Sequence, residues 1–305
     1  MKKMKRHDLL ALIGFRRQFL IGSFAAGVVL LTAPVFAGTV SPVQSSARPF
    51  GLDIVDYVQI AGSDARAASF MDGPLDAMKA AVNEHLGERA ELNITSDIAL
   101  DPSALKLKHD AAVRAYFIGE GAGYHNTLGF FTTPYDPEAG LTATDAQLIF
   151  PDASSSVSYL DSGSTEGQRT SSAPLLVGDF VDLGTLEAGT NINPFLISNG
   201  ANGGQDVYTA FPEQNPDGIQ HFVSLAAIED SPYLLIGIED LRGGGDRDFN
   251  DLVFVLDIGE ANVADLVAST VPLPSSVVAL IGACLGWFGM SRRRRVPTKL
   301  AIATV

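Results

Sequence analysis

Short apolar runs separated by Gly, Pro, Asn and Asp recur through residues 111–260, and they constrain the fold more than any other feature of this chain. Each run is rich in β-branched and aromatic residues and ends where turn-forming residues begin. This rhythm predicts a mainly β domain, an antiparallel β-sandwich or jelly roll, over residues 111–260. The runs are VRAYFIG, TLGFFTT, AQLIF, PLLVGDFVDLG, NPFLISNG, QHFVSLAAI, YLLIGIE and DLVFVLDI.

Residues 51–110, which precede these runs, follow a different pattern. The segment from Pro74 to Glu88 has apolar residues at helical spacing, and Asp72 is a candidate cap. It predicts one amphipathic helix in this N-terminal part of the domain. The apolar positions are Leu75, Met78, Val82 and Leu86.

The N-terminus has the order of an export signal. Residues 1–18 contain six Lys or Arg, and an apolar stretch then ends on small residues at Ala37. This order predicts a signal peptide over residues 1–37, with a retained membrane anchor as the alternative, followed by a flexible leader over residues 38–50. The string RRQFL, which starts at Arg16, resembles a twin-arginine signal, so twin-arginine and Sec export both stay open.

The C-terminus carries a second apolar segment. Seventeen residues between Pro274 and Arg292 are just enough for a helix across the apolar core of a bilayer. Four arginines follow and should stay cytoplasmic with the short tail at residues 296–305, which leaves the bulk of the chain outside. The order of proline motif, helix and arginines over residues 271–295 resembles the PEP-CTERM sorting signal, which exosortases recognise in bacteria that make exopolysaccharide. A plain membrane anchor is the alternative, and residues 261–270 are expected to be a linker.

The charge of the chain is distributed unevenly. The net charge is −14, but the two ends are basic, so residues 38–270 hold 10 basic and 34 acidic residues, a net charge of −24. So acidic a surface argues against nucleic acid or anionic lipid as a partner and suits a protein that gathers divalent cations. The single cysteine, Cys284, lies in the C-terminal apolar segment, which excludes a disulfide and a thiolate zinc site from the exported part.

One stretch, EDLRGGGDRDFND from Glu239 to Asp251, concentrates acidic residues. It holds five carboxylates in 13 residues and lies between two continuous apolar runs, which predict buried strands of a β-hairpin. Carboxylates at 4 Å repel one another by about 1 kcal/mol per pair even in water. A bound Ca²⁺ would relieve this repulsion, since calcium takes six to eight oxygen ligands.

The spacing within this stretch favours calcium. Asp246, Asp248 and Asn250 follow the D-x-D-x-N order that opens an EF-hand, but Asp251 stands where the EF-hand needs glycine, and a strand follows. We therefore expect a calcium loop on a β scaffold rather than an EF-hand. The alternative is a solvated acidic turn in which Asp and Asn cap backbone groups. The favoured ligands are Asp246, Asp248, Asn250 and Asp251, with Glu239 and Asp240 as further candidates.

The segment GEGAGYHN, from Gly119 to Asn126, is a second candidate site. It lacks the lysine and the following helix of a phosphate-binding loop, so a glycine-rich turn between strands is the preferred interpretation. Glu120 and Asn126 would add ligands only if the fold brings them beside the acidic loop.

Catalytic signals are weak. Glu239 with Asp251 is a conceivable glycosidase pair, but carboxylate pairs are common in so acidic a chain. His221 opens an apolar strand, which favours a core or rim histidine. A carbohydrate-binding or adhesive module would need exposed aromatics near the acidic loop. The aromatic candidates are Tyr124, Tyr135 and Phe249.

Several runs resemble the exported bacterial family called domain of unknown function 4114. The similarity extends over residues 113–259 and is most specific in HFVSLAAIEDSPYLLIGIEDLRGGGDRDFNDLVFVLDIG, which begins at His221. The family has no established activity, and the resemblance implies an exported β domain, often beside sorting signals or calcium-binding repeats. The sequence thus favours a non-enzymatic protein of the cell envelope, cell surface or extracellular matrix, sorted by an exosortase-type enzyme and possessing an acidic face suited to contact with extracellular polysaccharide.

Overall fold

The computed structural model describes residues 44–87, 99–156 and 167–270. The signal peptide, the sorting signal and the cytoplasmic tail predicted above lie outside these residues. Within them, no helix combines the length and the apolar character needed to cross a membrane.

The described part of the chain is mainly β and forms two sheets, whose strands pair antiparallel. The larger sheet has the strand order β1-β8-β9-β10-β2-β5, and the smaller has the order β4-β3-β6-β7. The strands are β1 (Ala99–Leu100), β2 (Ala111–Gly119), β3 (Thr127–Phe131), β4 (Gln147–Phe150), β5 (Phe180–Leu186), β6 (Asn193–Ile197), β7 (Val207–Thr209), β8 (Phe222–Leu225), β9 (Tyr233–Ile238) and β10 (Leu252–Asp257).

Three α-helices accompany the sheets within the described ranges, for which the sequence predicted one amphipathic helix. The predicted helix is α2, but its N-cap is Gly73, whereas Asp72 ends the preceding helix. The helices are α1 (Ala65–Met71), α2 (Pro74–His85) and α3 (Glu260–Thr270), and short 3-10 helices lie at Pro49–Gly51, Pro102–Ala104, Leu141–Ala143, Gly200–Asn202 and Pro212–Gln214. Because α3 covers residues 261–270, the expectation that this segment is a linker was wrong.

The continuous apolar runs of β9 and β10 arise because both faces of the larger sheet are covered. Along β10, Leu252, Phe254 and Leu256 point into a cluster shared with the smaller sheet. The alternate residues Val253 and Val255 pack with α1 and α2 on the opposite face. An alternating polar pattern is therefore absent from these strands, as expected for strands buried on both sides.

A buried arginine joins α1 to the larger sheet. Arg114 of β2 donates to both carboxylate oxygens of Asp64, the N-cap of α1, and to Asp182 of β5. Its guanidinium also lies 4.0 Å from the centre of the Phe180 ring. This double pairing satisfies a cation that would be costly to bury alone.

Candidate metal site

A cleft of about 540 Å³ lies where the loop between β9 and β10 meets the turn between β2 and β3. The register of β9 with β10 confirms the predicted hairpin, because Ile238 pairs with Leu252 at the base of the loop. All six residues predicted as ligands line the cleft. Its lining consists of Gly121, Ala122, Gly123, Tyr124, Glu239, Asp240, Leu241, Gly245, Asp246, Asp248, Asn250 and Asp251.

The carboxylates of the cleft form two sets of three. In each set, one ligand atom from every member lies within 4.8 Å of the others, which is the spacing of oxygens around one calcium ion with bonds of about 2.4 Å. The first set is Glu239, Asp246 and Asp248, and the second is Glu239, Asp240 and Asp251. Glu239 belongs to both.

A left-handed backbone path folds the loop onto itself. The three glycines from Gly243 to Gly245 have φ values of 88°, 81° and 41°, and Arg247 and Phe249 are also left-handed at 62° and 57°. Left-handed conformation costs a non-glycine residue roughly 1–2 kcal/mol. Burial of the Phe249 ring in the cluster beneath α2 offsets part of this cost and anchors the loop.

Glu239 is the central carboxylate. Its side chain is only 1% exposed, and Oε2 accepts a hydrogen bond from the backbone N–H of Arg247 at 3.2 Å. The other oxygen, Oε1, is buried with no hydrogen-bond partner among the described residues. Burial first, and then Asp251 and the charges of Asp246 and Asp240, raise the pKa of Glu239 to about 8. An orphaned buried carboxylate oxygen facing other carboxylates fits a cation ligand.

Asp240 is held in place from two sides. Its Oδ2 accepts from Asn126 Nδ2 at 2.6 Å, and its backbone N–H donates to Asp251 Oδ2 at 2.9 Å. Burial, followed by the charge of Asp251, raises the pKa of Asp240 to about 7. Asn126 Oδ1 already accepts from the backbone N–H of Asn199, so Asn126 positions Asp240 rather than offering an oxygen of its own.

Glu120 also lies next to the cleft. Its Oε1 accepts from the backbone N–H of Ser155 at 2.8 Å, while Oε2 is buried and finds no partner in the described part of the chain. Burial raises the pKa of Glu120 to about 8, and the charges of Asp152, Asp240 and Asp251 add to the effect. The glycine-rich turn thus contributes a sixth carboxylate to the acidic region. The sequence predicted this contribution only if the fold placed Glu120 beside the acidic loop.

Asn250 ties the loop to its surroundings. Its Nδ2 donates to the carbonyl of Leu86 just beyond α2, and its own carbonyl accepts from the N–H of Gly121. A Cβ atom at Gly121 would lie 2.7 Å from Asn250 Oδ1, so glycine is needed for this close approach. The amide side chain therefore fixes the loop against the helix and the turn.

A second network supports the loop from behind and was not predicted. His221 is fully buried, stacks on Tyr208 with ring centres 3.7 Å apart, and places Nδ1 2.7 Å from the carbonyl oxygen of Glu239. Its Nε2 faces Asp217, which also accepts from the backbone N–H of Gly243. His221 is thus a core histidine, as its sequence context predicted, and Asp217 had no motif to identify it.

The three candidate aromatic residues have different environments. Tyr124 is 42% exposed and lines the cleft, next to the exposed Leu241. Phe249 is buried under the loop, and Tyr135 packs against Phe131 beside a different cleft. Only Tyr124 of these three offers a ring at the acidic site.

Comparison with protein families matches residues 186–259 to the model described as Domain of unknown function (DUF4114). The matched segment contains β6 to β10 and the whole acidic loop, whereas the resemblance noted for residues 113–185 lies before it. Comparison with curated proteins and with solved structures found no match. Residues 186–259, about a quarter of the chain, are therefore similar to the domain of unknown function DUF4114.

Proposed function

We propose that this chain is an exported, non-enzymatic β-sandwich protein whose β9–β10 loop binds calcium, and that it serves at the cell surface or in the extracellular matrix. The observation that carries the metal proposal is the buried Oε1 of Glu239, which lacks a hydrogen-bond partner among the described residues and faces further carboxylates across a cleft. A protein tolerates such a group where a ligand completes it.

Calcium fits this donor set better than other common metals. The cleft offers carboxylate oxygens, and neither carboxylate set contains a histidine or a cysteine. Oxygen-only sites suit the hard cations, and calcium accepts irregular geometry and many protein ligands, whereas magnesium prefers near-octahedral geometry and retains several waters.

Export and sorting complete the proposal. The basic and apolar ends of the sequence support delivery through a signal peptide and an exosortase-type enzyme, with transient anchoring in the inner membrane. The net charge of −24 over residues 38–270 would allow the exported part to contact acidic extracellular polysaccharide through cation bridges.

Thermal unfolding of the full-length chain tests the calcium proposal. At 100 times the dissociation constant, one bound ligand stabilises the folded state by about 2.7 kcal/mol. We expect a higher melting temperature in calcium than in EDTA and a smaller increase in magnesium. Glu187→Gln, which removes an exposed carboxylate at the end of β5, should show the full calcium shift. Equal melting temperatures in calcium and EDTA would overturn the proposal.

A carbohydrate-binding module is the second candidate function, and the exposed ring of Tyr124 beside the acidic cleft favours it. An aromatic face next to a bound cation is a suitable platform for a sugar ring. A glycan array in calcium and in EDTA would test this function, and Tyr124→Ala should remove binding while leaving the calcium shift in melting temperature intact. Binding that persists in Tyr124→Ala would exclude this role for the ring.

A polysaccharide hydrolase is less favoured. Glu239 and Asp251 have oxygens within 4.8 Å of each other. This spacing is compatible with the roughly 5–5.5 Å between the carboxyl groups of a retaining glycosidase. Carboxylate pairs are common in so acidic a chain, however, so this pair alone carries little weight. Turnover of a polysaccharide that disappears in Glu239→Gln would reverse this preference.

A further inference from the structure

The two carboxylate sets of the cleft share one member only, Glu239. In sequence, Asp246 and Asp248 follow the glycines and are called the tip pair, whereas Asp240 and Asp251 lie close to the ends of β9 and β10 and are called the base pair. We propose that the cleft binds two calcium ions bridged by the Glu239 carboxylate, an inference that rests on the calcium binding proposed above.

Distance argues against one ion held by all five carboxylates. Calcium binds its oxygens at 2.3–2.6 Å, so any two ligands of one ion lie within roughly 5 Å of each other. Among the residues that the structure describes, the groups that satisfy a 4.8 Å limit are the two triads, and neither triad joins a member of the tip pair to a member of the base pair. Two calcium ions, one in each triad, therefore fit the distances between the carboxylate oxygens.

The net charge of the carboxylates also favours two calcium ions. The five carboxylates of the two sets carry a formal charge of −5 when ionised, which one calcium ion reduces to −3 and two reduce to −1. Arg242 directs its guanidinium to the carbonyl of Pro216, and Arg247 is exposed and contacts Glu239 through its backbone N–H. A second cation relieves repulsion that these arginine contacts leave in place.

The bridging role suits the hydrogen bonding of Glu239. Oε2 accepts one backbone N–H, which leaves it a second lone pair, and Oε1 is free of hydrogen bonds to any described residue. Each oxygen can therefore bind a cation. Glu120, whose Oε2 is buried without a described partner, belongs to neither triad, so it adds negative charge near the base of the loop and is not assigned as a ligand.

Counting the bound ions tests this proposal. Native mass spectrometry and calorimetric titration of the full-length chain with calcium should give two ions per chain. Asp246→Asn should retain the ion at the base, and Asp251→Asn should retain the ion at the tip, so each variant should bind one. Asp72→Asn removes an exposed carboxylate between α1 and α2 and should still bind two.

The outcomes separate the two proposals. A wild-type chain that binds no calcium overturns the proposed function as well as the bridged pair. A wild-type chain that binds one ion overturns the bridged pair alone and leaves calcium binding standing. Retention of two ions in Asp246→Asn or in Asp251→Asn would also overturn the assignment of ligands. Circular dichroism in EDTA establishes that each variant is folded before its ions are counted.

Discussion

Two glycines of the acidic loop allow the position of Glu239 to be perturbed without changing any ligand. Gly245 and Gly243 both have left-handed φ values, 41° and 88°. A Cβ atom at Gly245 would overlap Oε1 of Glu239 and lie 2.8 Å from its carboxyl carbon, whereas a Cβ atom at Gly243 would meet no described atom within 4 Å. Gly245→Ala should therefore displace the Glu239 carboxylate, and Gly243→Ala should not.

The size of the effect follows from these distances. Carbon atoms in contact lie about 3.5–4.0 Å apart, so the Glu239 carboxyl group must move by roughly 1 Å to accommodate the new methyl group. Calcium–oxygen bonds vary only between about 2.3 and 2.6 Å, so this displacement breaks the bond. Both alanine variants also take on roughly 1–2 kcal/mol of backbone strain, which lowers the melting temperature in EDTA by a few degrees.

Differential scanning fluorimetry in EDTA and in saturating calcium distinguishes the two effects. At 100 times the dissociation constant, each ion should raise the melting temperature by about 5–11 °C for a domain of this size. We expect this shift in Gly243→Ala and a loss of most of it in Gly245→Ala, although the two should melt within a few degrees of each other in EDTA. Equal calcium shifts in the two variants would refute the role assigned to Glu239.

Three further predictions concern pH and packing. Because burial raises the pKa of Glu239 to about 8, the free energy of unfolding in EDTA should fall as the pH rises from about 4.5 to 8, and calcium should suppress this fall. Arg114→Leu removes the hydrogen bonds to two carboxylates that are 39% and 34% exposed, and it should lower the free energy of unfolding in urea by about 1–2 kcal/mol. Gly129→Ala places a methyl group against the ring of Phe195 and should cost about 1–3 kcal/mol by the same measurement.

Each of these predictions has a control. Glu239→Gln should make the fall in stability with pH in EDTA shallower, with Asp240 and Glu120 accounting for the slope that remains. A wild-type profile that is already flat would contradict the first prediction. Arg48→Leu removes an exposed arginine and should change stability by less than about 0.5 kcal/mol. Gly123→Ala adds a methyl group where no described atom lies within 4 Å, so a loss equal to that of Gly129→Ala would argue against overpacking.

The strands could be predicted because their signal is local. Each of the eight apolar runs contains or overlaps a strand of the structure, from β2 to β10 with the exception of β7. The short strands β1 and β7 have two and three residues, too few to show an alternating or continuous pattern. The helix α3 was missed because its sequence lies next to the predicted sorting signal, where a linker was expected.

The acidic loop could be located from the sequence because its six candidate ligands all lie within one stretch of 13 residues. The residues that hold the loop in place could not be predicted from the sequence, because their hydrogen bonds join distant parts of the chain. Asn126 and Asp240 are separated by 114 residues, and Leu86 and Asn250 by 164. The pairing of β10 with both β9 and β2 brings the acidic loop beside the turn that carries Asn126, and the packing of α2 on the larger sheet brings Leu86 to Asn250.

The position of β10 has a consequence for the order of folding. This strand is the last of the larger sheet in sequence, yet it lies between β9 and β2 at the centre. During synthesis, β2 can pair with β5, and β9 with β8, but the two halves remain separate, with open hydrogen-bonding edges, until residues 252–257 have emerged. Closure requires contacts of high sequence separation, which are slow to form. A chain interrupted within the acidic loop would thus expose two apolar strand edges at once, and we expect such fragments to aggregate.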